Sequence, residues 1–359
     1  MKEFYSRFLN QGAFIRLSST EVHLWAGIFQ PSSREHGSLA LCPFWQQGLD
    51  FFEFSEQRVL SVQEVHRDLE ALMGPLNVQP GQFKGPERSQ LEISFQATQG
   101  RIQRGEIEKA VVIGSKHSDW IPSVPERASM MMKALQAPAK TYPYGYWNAQ
   151  GGAIGVTPEI LFQRLGSDIL TMALAGSCPR EEVSQRAPLL KDPKELREHQ
   201  MVVKDISERL RQQGWLVVKD TEVMELPTLL HLKTEIEIKQ CKKTDEELVQ
   251  LLHPTAAMAQ FPRNYGLQWM KDLPYQKDRG LHGGAVWFRF GKQDGLDRSI
   301  ALVSIRSLFW ENANSQGTAA GRSWMTAGCG IVAESQEERE WKEMLAKFSS
   351  IHKALGIVE

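Results

Sequence analysis

Two short acidic pairs, far apart in the chain, are the residues whose type and spacing most clearly suit chemistry. Glu195 and Glu198 lie in KDPKELREHQMVV, and Glu340 and Glu343 lie in EEREWKEMLAK. The i, i+3 spacing places both carboxylates of a pair on one face of a helix. If the two helices meet, four carboxylates repel one another unless a cation lies between them, and Mg²⁺ best suits oxygen-only ligands. The alternative is that both pairs are ordinary solvated helix faces.

The helices that must position these pairs have recognisable boundaries. The first is predicted from about Pro193 to Gly214, because Asp192 is a good N-cap, proline suits the first turn and glycine suits the end. The second is predicted over residues 335–355. The two pairs are about 145 residues apart, so a shared core must bring them together. We therefore expect one layered domain, and separate small domains are disfavoured.

Strand-like segments dominate the rest of the pattern. Residues 1–85 are predicted as short strands and turns that extend the fold, with a linker at Gly81–Pro86 and the catalytic region over 86–359. Helices are predicted over Ser89–Gly105 and over 124–136, and KAVVIGSKHS reads as a buried strand. TYPYGYWNA, GAIGVTP, EILFQRLGS and DILTMALAGS read as an antiparallel meander, and RSIALVSIRSLFWE as another strand. The pattern indicates an α+β fold.

Composition limits the class of protein. The chain has 359 residues and a net charge of −1, which gives no reason to expect nucleic acid or a membrane surface as a partner. No apolar run is long enough to span a bilayer, and MKEFYSRFLNQGAFIRL lacks the order of a secretory signal, so we expect a cytoplasmic protein. Four widely spaced cysteines are expected to be reduced thiols and not zinc ligands: Cys42, Cys178, Cys241 and Cys329.

Ten segments in order resemble the chorismate-utilising enzymes, which include isochorismate, salicylate, anthranilate and aminodeoxychorismate synthases. The segments, within residues 90–359, are EKAVV, GVTPEILF, ALAGS, DPKELREHQMVV, LPTLLHL, LLHPTAA, HGGAVW, VSIRS, AGCGIV and EREWKEMLAK. The resemblance implies a single α+β domain of two stacked antiparallel β-sheets, with helices packed outside and a buried site between the sheets. Ala256 and Cys178–Pro179 depart from the usual pattern.

The resemblance also implies catalytic roles. Chorismate is a dicarboxylate; a nucleophile adds at C2, the double bonds shift and the C4 hydroxyl leaves. Lys109 matches the lysine of water-using members, where it acts as the base, and Glu159 matches the general acid. Ala175 stands where aminodeoxychorismate synthases often carry a nucleophilic lysine, which disfavours that reaction. On spacing alone, Lys109 would be a surface residue and Glu159 a strand-edge glutamate.

The remaining matched residues concern the metal and the substrate. Glu198 and Glu343 match direct Mg²⁺ ligands, while Glu195 and Glu340 match an outer pair that acts through water. Arg306 matches a carboxylate-binding guanidinium. The full set matched to substrate binding is Gly176, Ser177, His231, Ala257, Arg306, Gly328, Gly330 and Lys347.

These matches predict an isochorismate synthase that uses Mg²⁺ and water. LLHPTAAMAQFPR resembles the isochorismate synthase form of that segment. Salicylate synthase, anthranilate synthase component I and a non-catalytic chorismate-binding protein stay open as alternatives. No glutaminase subunit is expected, a monomer is expected, and the sequence does not distinguish menaquinone from siderophore synthesis.

Overall fold

The computed structural model describes residues 2–73, 81–181, 188–313 and 320–358. Within these ranges the chain forms seven α-helices: α1 (Lys2–Asn10), α2 (Val62–Met73), α3 (Arg88–Gln103), α4 (Val124–Ala134), α5 (Pro193–Leu210), α6 (Asp245–Leu252) and α7 (Glu337–Leu355). Helix α5 begins where the sequence predicts, because the Asp192 carboxylate accepts hydrogen bonds from the N–H groups of Lys194 and Glu195. Such an N-cap stabilises a helix by about 1 kcal/mol. The helix ends four residues before Gly214.

Two antiparallel sheets make up the centre of the fold. In spatial order, the first sheet contains β15 (Gln260–Phe261), β7 (Lys109–Ser118), β19 (Arg322–Val332), β18 (Ser307–Glu311), β9 (Gly151–Thr157), β8 (Tyr142–Trp147), β1 (Gly12–Ser18), β2 (Glu21–Ala26) and β6 (Glu56–Leu60). The second contains β12 (Trp215–Val218), β14 (Leu229–Lys239), β11 (Asp168–Pro179), β10 (Ile160–Leu165), β17 (Leu296–Val303), β16 (Ala285–Gln293), β4 (Leu39–Cys42), β5 (Asp50–Glu53) and β3 (Gln30–Pro31), while β13 (Glu222–Glu225) also pairs with β14.

The sheets stack face to face, and helices cover their outer faces. Trp25 of the first sheet stacks on Phe288 of the second at 5.5 Å between ring centroids, within a core that both sheets share. Helices α1, α2, α3, α4 and α7 lie on the side of the first sheet, and α5 and α6 pack on the second. This arrangement confirms the expected α+β fold of two stacked antiparallel sheets with helices outside. It also encloses a space between the sheets.

The chain crosses from one sheet to the other at two points that the sequence pattern did not reveal. The predicted meander is wrong in one respect, because β8 and β9 belong to the first sheet while β10 and β11 belong to the second. Likewise, the single predicted strand RSIALVSIRSLFWE is two strands, β17 and β18, in different sheets. Glu159 lies at the first crossing and Arg306 at the second. Apolar runs that continue through a crossing look like one strand in the sequence.

Residues 12–60 supply strands to both sheets, but the prediction of only strands and turns before residue 85 misses α1 and α2. Helix α1 buries Phe4, Tyr5, Phe8 and Leu9, a helical spacing that the sequence shows. Gly81–Pro86 is not a free linker, since the Lys84 N–H donates to the His117 carbonyl at 2.8 Å. The four cysteines are buried and form no disulfide. Among the described residues, none of the helices has the length and apolar character needed to cross a bilayer.

Candidate active site

A cavity lies between the two sheets, beside the two crossings and the first turns of α5 and α7. Most of the residues matched to the site line it: Glu159, Ser177, Glu198, His231, Ala257, Arg306, Gly328, Gly330, Glu343 and Lys347. The other four predicted residues lie just outside the lining, namely Lys109, Gly176, Glu195 and Glu340. The structure therefore brings the predicted set into one region, although the segments that carry it are spread over some 240 residues of sequence.

The two acidic pairs meet, as they must if they act together. All four carboxylates are buried in the first two turns of α5 and α7, where the positive end of the helix dipole favours negative charge. The Lys194 ammonium lies between the helices, with Nζ 3.2 Å from Glu195 Oε1, 3.3 Å from Glu198 Oε2 and 3.1 Å from Glu340 Oε1. The reading of these pairs as solvated helix faces is wrong.

This carboxylate cluster is short of positive charge. Burial raises the pKa of Glu195 to about 8, and the neighbouring carboxylates add to the rise. Burial likewise raises the pKa of Glu340 to about 7. Burial also acts to raise the pKa of Glu343, but Lys347 and Lys194 outweigh it and hold the value below its ordinary range. An oxygen-rich cluster in which carboxylates resist ionisation is suited to a hard divalent cation such as Mg²⁺.

Lys109 is the first residue of β7 and is fully buried, so it is not the surface lysine that spacing alone would suggest. Its Nζ donates to the Ala256 carbonyl at 2.7 Å and lies 3.4 Å from Glu198 Oε1. Burial lowers the pKa of Lys109, and the nearby Glu198 opposes this change. Gly330 makes room for the contact, because a Cβ there would lie 2.1 Å from Glu198 Oε1 and 2.9 Å from Lys109 Cε. The lowered pKa favours loss of the proton from this amine.

Glu159 is buried at the crossing between β9 and β10, and its side chain lines the cavity. Burial raises its pKa to about 8, although Lys109, Lys347 and Arg306 each act in the opposite direction. The carboxyl is consequently protonated at neutral pH. A neutral carboxylic acid beside a ligand cavity is able to donate a proton.

Arg306, His231 and Ser177 form a chain of hydrogen bonds along the cavity. Arg306 Nη1 donates to Ser350 Oγ at 2.5 Å, and Nη2 donates to His231 Nε2 at 3.3 Å. A guanidinium only donates, so His231 Nε2 accepts and its Nδ1–H donates to Ser177 Oγ at 2.9 Å. Burial and Arg306 hold the pKa of His231 well below its ordinary value, which agrees with a neutral ring. The chain fixes the guanidinium at the cavity wall.

Lys347 also lines this wall, and Gly176 lies just behind it. Lys347 Nζ donates to the Gly328 carbonyl at 2.6 Å and lies 2.6 Å from Glu343 Oε1. Gly176 has φ of +75° at a β-bulge, and a Cβ there would lie 2.7 Å from the Glu195 carbonyl oxygen. The bulge lets α5 approach the strand closely. It also turns the Ser177 N–H toward Glu195 Oε2, at 2.9 Å, instead of toward the cavity.

Sequence reasoning missed two groups at the site. His282 lines the cavity, and neither of its ring nitrogens has a hydrogen-bond partner among the described residues. Burial holds its pKa well below the ordinary value, so the ring is neutral. The second is Lys194, which reads in the sequence as one half of an ordinary i, i+4 pair with Glu198. The HGG segment carried the signal for His282, and the position of Lys194 between Asp192 and the first acidic pair carried it for that lysine.

The fold places a cavity between two sheets, and the cations Arg306 and Lys347 line it together with the buried carboxylates Glu198 and Glu343. The chain belongs to the family described as chorismate binding enzyme, whose model matches residues 39–356. The chain is 26% identical to the salicylate biosynthesis isochorismate synthase of Pseudomonas aeruginosa over 300 residues, which cover 79% of this chain and 58% of that protein.

Two further comparisons agree with this family. The vibriobactin-specific isochorismate synthase of Vibrio cholerae is 32% identical over 216 residues, covering 57% of this chain and 51% of that protein. The structure of the menaquinone-specific isochorismate synthase from Escherichia coli superposes with a TM-score of 0.74 at 20% identity, covering 98% of this chain and 90% of that one. The chain spans about half the length of the curated relatives it matches.

Proposed function

We propose that the protein is a Mg²⁺-dependent isochorismate synthase. The observation that carries the proposal is that Glu159, a carboxyl with a raised pKa, lines the cavity, while Lys109, a buried lysine with a lowered pKa, lies directly behind the lining residue Glu198. Adding water at C2 and expelling the C4 hydroxyl needs a base and an acid at the same time. The matched relatives named isochorismate synthases support the choice of reaction.

Each side chain has a step to perform in this reaction. Arg306 and Lys347 bind the enolpyruvyl carboxylate, because both cations face the cavity and are held by neutral or anionic partners. Lys109 accepts a proton from the water that adds at C2. Glu159 gives its proton to the C4 oxygen as that oxygen leaves with the electrons of its bond to carbon.

Glu198 and Glu343 would hold Mg²⁺, with Glu195 and Glu340 acting through water. The cation would bind the ring carboxylate of chorismate and offset negative charge there. No three His, Cys, Asp or Glu side chains within the described ranges converge closely enough to bind a metal ion as they stand. Three of the four carboxylates, those of Glu195, Glu198 and Glu340, instead surround the Lys194 ammonium, which supports the proposal of a cation site here.

Glu198→Gln should raise the Mg²⁺ concentration for half-maximal activity by at least about tenfold, because one anionic ligand is lost. Glu337→Gln is the matched control, since that glutamate begins the same helix as Glu343 but pairs with Arg88 at 3.4 Å on the surface. Titration calorimetry of Mg²⁺ alone separates metal binding from any effect on Lys109. Equal Mg²⁺ affinities in the variant and the unaltered protein would exclude Glu198 as a ligand.

His282→Phe should raise KM for chorismate about tenfold with a smaller change in kcat, since a cavity-facing N–H is replaced by an apolar edge of similar size. His282→Gln, which retains a donor, should lie between the two. The measurement is steady-state kinetics across chorismate concentrations. A KM for His282→Phe equal to that of the unaltered protein would mean that the ring only fills space.

A product assay with chorismate and Mg²⁺ tests the reaction itself. Isochorismate alone is the expected product. Salicylate with pyruvate would establish the second candidate, salicylate synthase. The same residues could serve that reaction, and the name of the relative from Pseudomonas aeruginosa includes salicylate biosynthesis. Formation of anthranilate that depends on ammonium would indicate the third candidate, anthranilate synthase component I. Binding of chorismate without any product would instead support a non-catalytic chorismate-binding protein.

A further inference from the structure

Lys194 lies in an unusual position for a lysine, among the buried carboxylates that are proposed to bind Mg²⁺. Its side chain is only 12% exposed, and its ammonium lies within 3.3 Å of carboxylate oxygens from both α5 and α7. It is therefore the cation that joins the two acidic pairs. An ammonium held by three carboxylates has the same ligand chemistry as a divalent cation, with half the charge.

The four carboxylates do not depend on Lys194 equally. Glu198 also has Lys109 at 3.4 Å, and Glu343 has Lys347 at 2.6 Å. Within the described residues, Glu195 and Glu340 have only Lys194 as a cationic partner. Lys194 thus supplies the positive charge that faces the outer pair, Glu195 and Glu340.

The ammonium has a route out of the cluster. Lys194, Glu195 and Glu340 line a second, narrow cavity, which is separated from the substrate cavity by Glu343, a residue that lines both. The outer lining of this cavity includes Glu334, Gln336 and Arg339, all of which are exposed. A lysine side chain rotates about four single bonds and reaches solvent by such a path, which passes the exposed Glu334, a carboxylate that pairs with Arg197 at 2.6 Å.

We propose that Lys194 is an internal counter-cation that competes with the divalent cation for the carboxylate cluster. In the metal-free protein its ammonium joins α5 to α7; when the cation binds, the ammonium moves outward along the narrow cavity. The lysine thereby weakens metal affinity and keeps the cluster intact without metal. This inference rests on the proposed Mg²⁺ dependence.

Titration calorimetry of Mg²⁺ and thermal melting test the inference on the whole chain, without substrate. Lys194→Met should bind Mg²⁺ at least about tenfold more tightly than the unaltered protein, because no ammonium has to be displaced. In EDTA the variant should melt at a lower temperature, and saturating Mg²⁺ should raise its melting temperature by more than it raises that of the unaltered protein. Lys194→Arg, which keeps the charge, should retain the weaker affinity.

Lys342→Met is the control, because Lys342 lies on α7 and its one ion pair within the described part of the chain is with the exposed Glu338, at 3.9 Å. Mg²⁺ affinity that is equal or weaker in Lys194→Met would overturn the inference, as would a variant that stays unfolded in saturating Mg²⁺. A variant that folds only with Mg²⁺ would support it. If neither protein binds Mg²⁺ at all, the proposed metal dependence fails instead, so the two failures are distinguishable.

Discussion

Lys109→Ala should lower kcat by at least about 10³-fold while the dissociation constant for chorismate changes only a few-fold. The reason is positional: the amine is buried beside Glu198, outside the lining of the substrate cavity, so its removal takes away the base without removing a wall. Single-turnover kinetics and equilibrium binding measure the two quantities separately. Full activity in the variant would remove Lys109 from the mechanism.

A matched pair of variants separates a chemical role from a structural one. Lys109→Ala leaves a lysine-sized space beside Glu198 and the Ala256 carbonyl, whereas Lys109→Met fills that space without an amine. Added methylamine should therefore restore part of the activity of the alanine variant and none of that of the methionine variant. Restoration of both, or of neither with both proteins folded, would contradict the proposal that a base is required at this position.

Glu159→Gln should lower kcat by about 10²- to 10³-fold, because glutamine has the shape of the acid but no proton of suitable acidity. The pH profile gives a sharper test. Glu159 acts in its protonated form, so kcat of the unaltered protein should fall as pH rises through about 8, the pKa to which burial raises this carboxyl. The residual activity of the variant should lack this alkaline limb. An unchanged limb would assign it to another group.

The pH dependence of the free energy of unfolding should reflect the ionisation of the same carboxyl, that of Glu159. The pKa of Glu159 is about 8 in the folded protein and near 4.5 in the unfolded chain, so the folded state binds more protons between these values. This contribution to the free energy of unfolding therefore falls as pH rises from about 4.5 to about 8. The glutamine of Glu159→Gln cannot ionise. The melting temperature of this variant should therefore fall less across that pH range than the melting temperature of the unaltered protein. If the melting temperatures of the two proteins changed equally with pH, Glu159 would not be buried as described.

The sequence revealed much of the site because its chemistry is encoded in local spacing. The i, i+3 carboxylate pairs and the Asp192 N-cap are short-range features, and the structure places both pairs in the first two turns of α5 and α7. The order of the ten motifs then identified the family. That family resemblance, rather than strand pattern, supplied the roles of Lys109 and Glu159.

What the sequence did not reveal depends on long-range packing. The crossings at Glu159 and Arg306 lie within apolar runs, and the choice between two sheets is made by partners more than a hundred residues away. The same applies to Lys194, whose contact with Glu340 comes from another helix. Helices α1 and α2 show helical spacing and, at Ser61 and Glu64, a capping pair, so closer reading of the first 85 residues would have found them.

The two crossings are hydrogen-bonded to each other, and this has a consequence for how the site accommodates ligands. The Val156 N–H donates to the Arg306 carbonyl at 3.2 Å, and the Val303 N–H donates to the Glu159 carbonyl at 3.1 Å. The backbone segments that carry the proton donor and the guanidinium are therefore linked, so a substitution that shifts one crossing should also shift the other. A ligand that displaces one of these two groups therefore meets resistance from the backbone of both crossings.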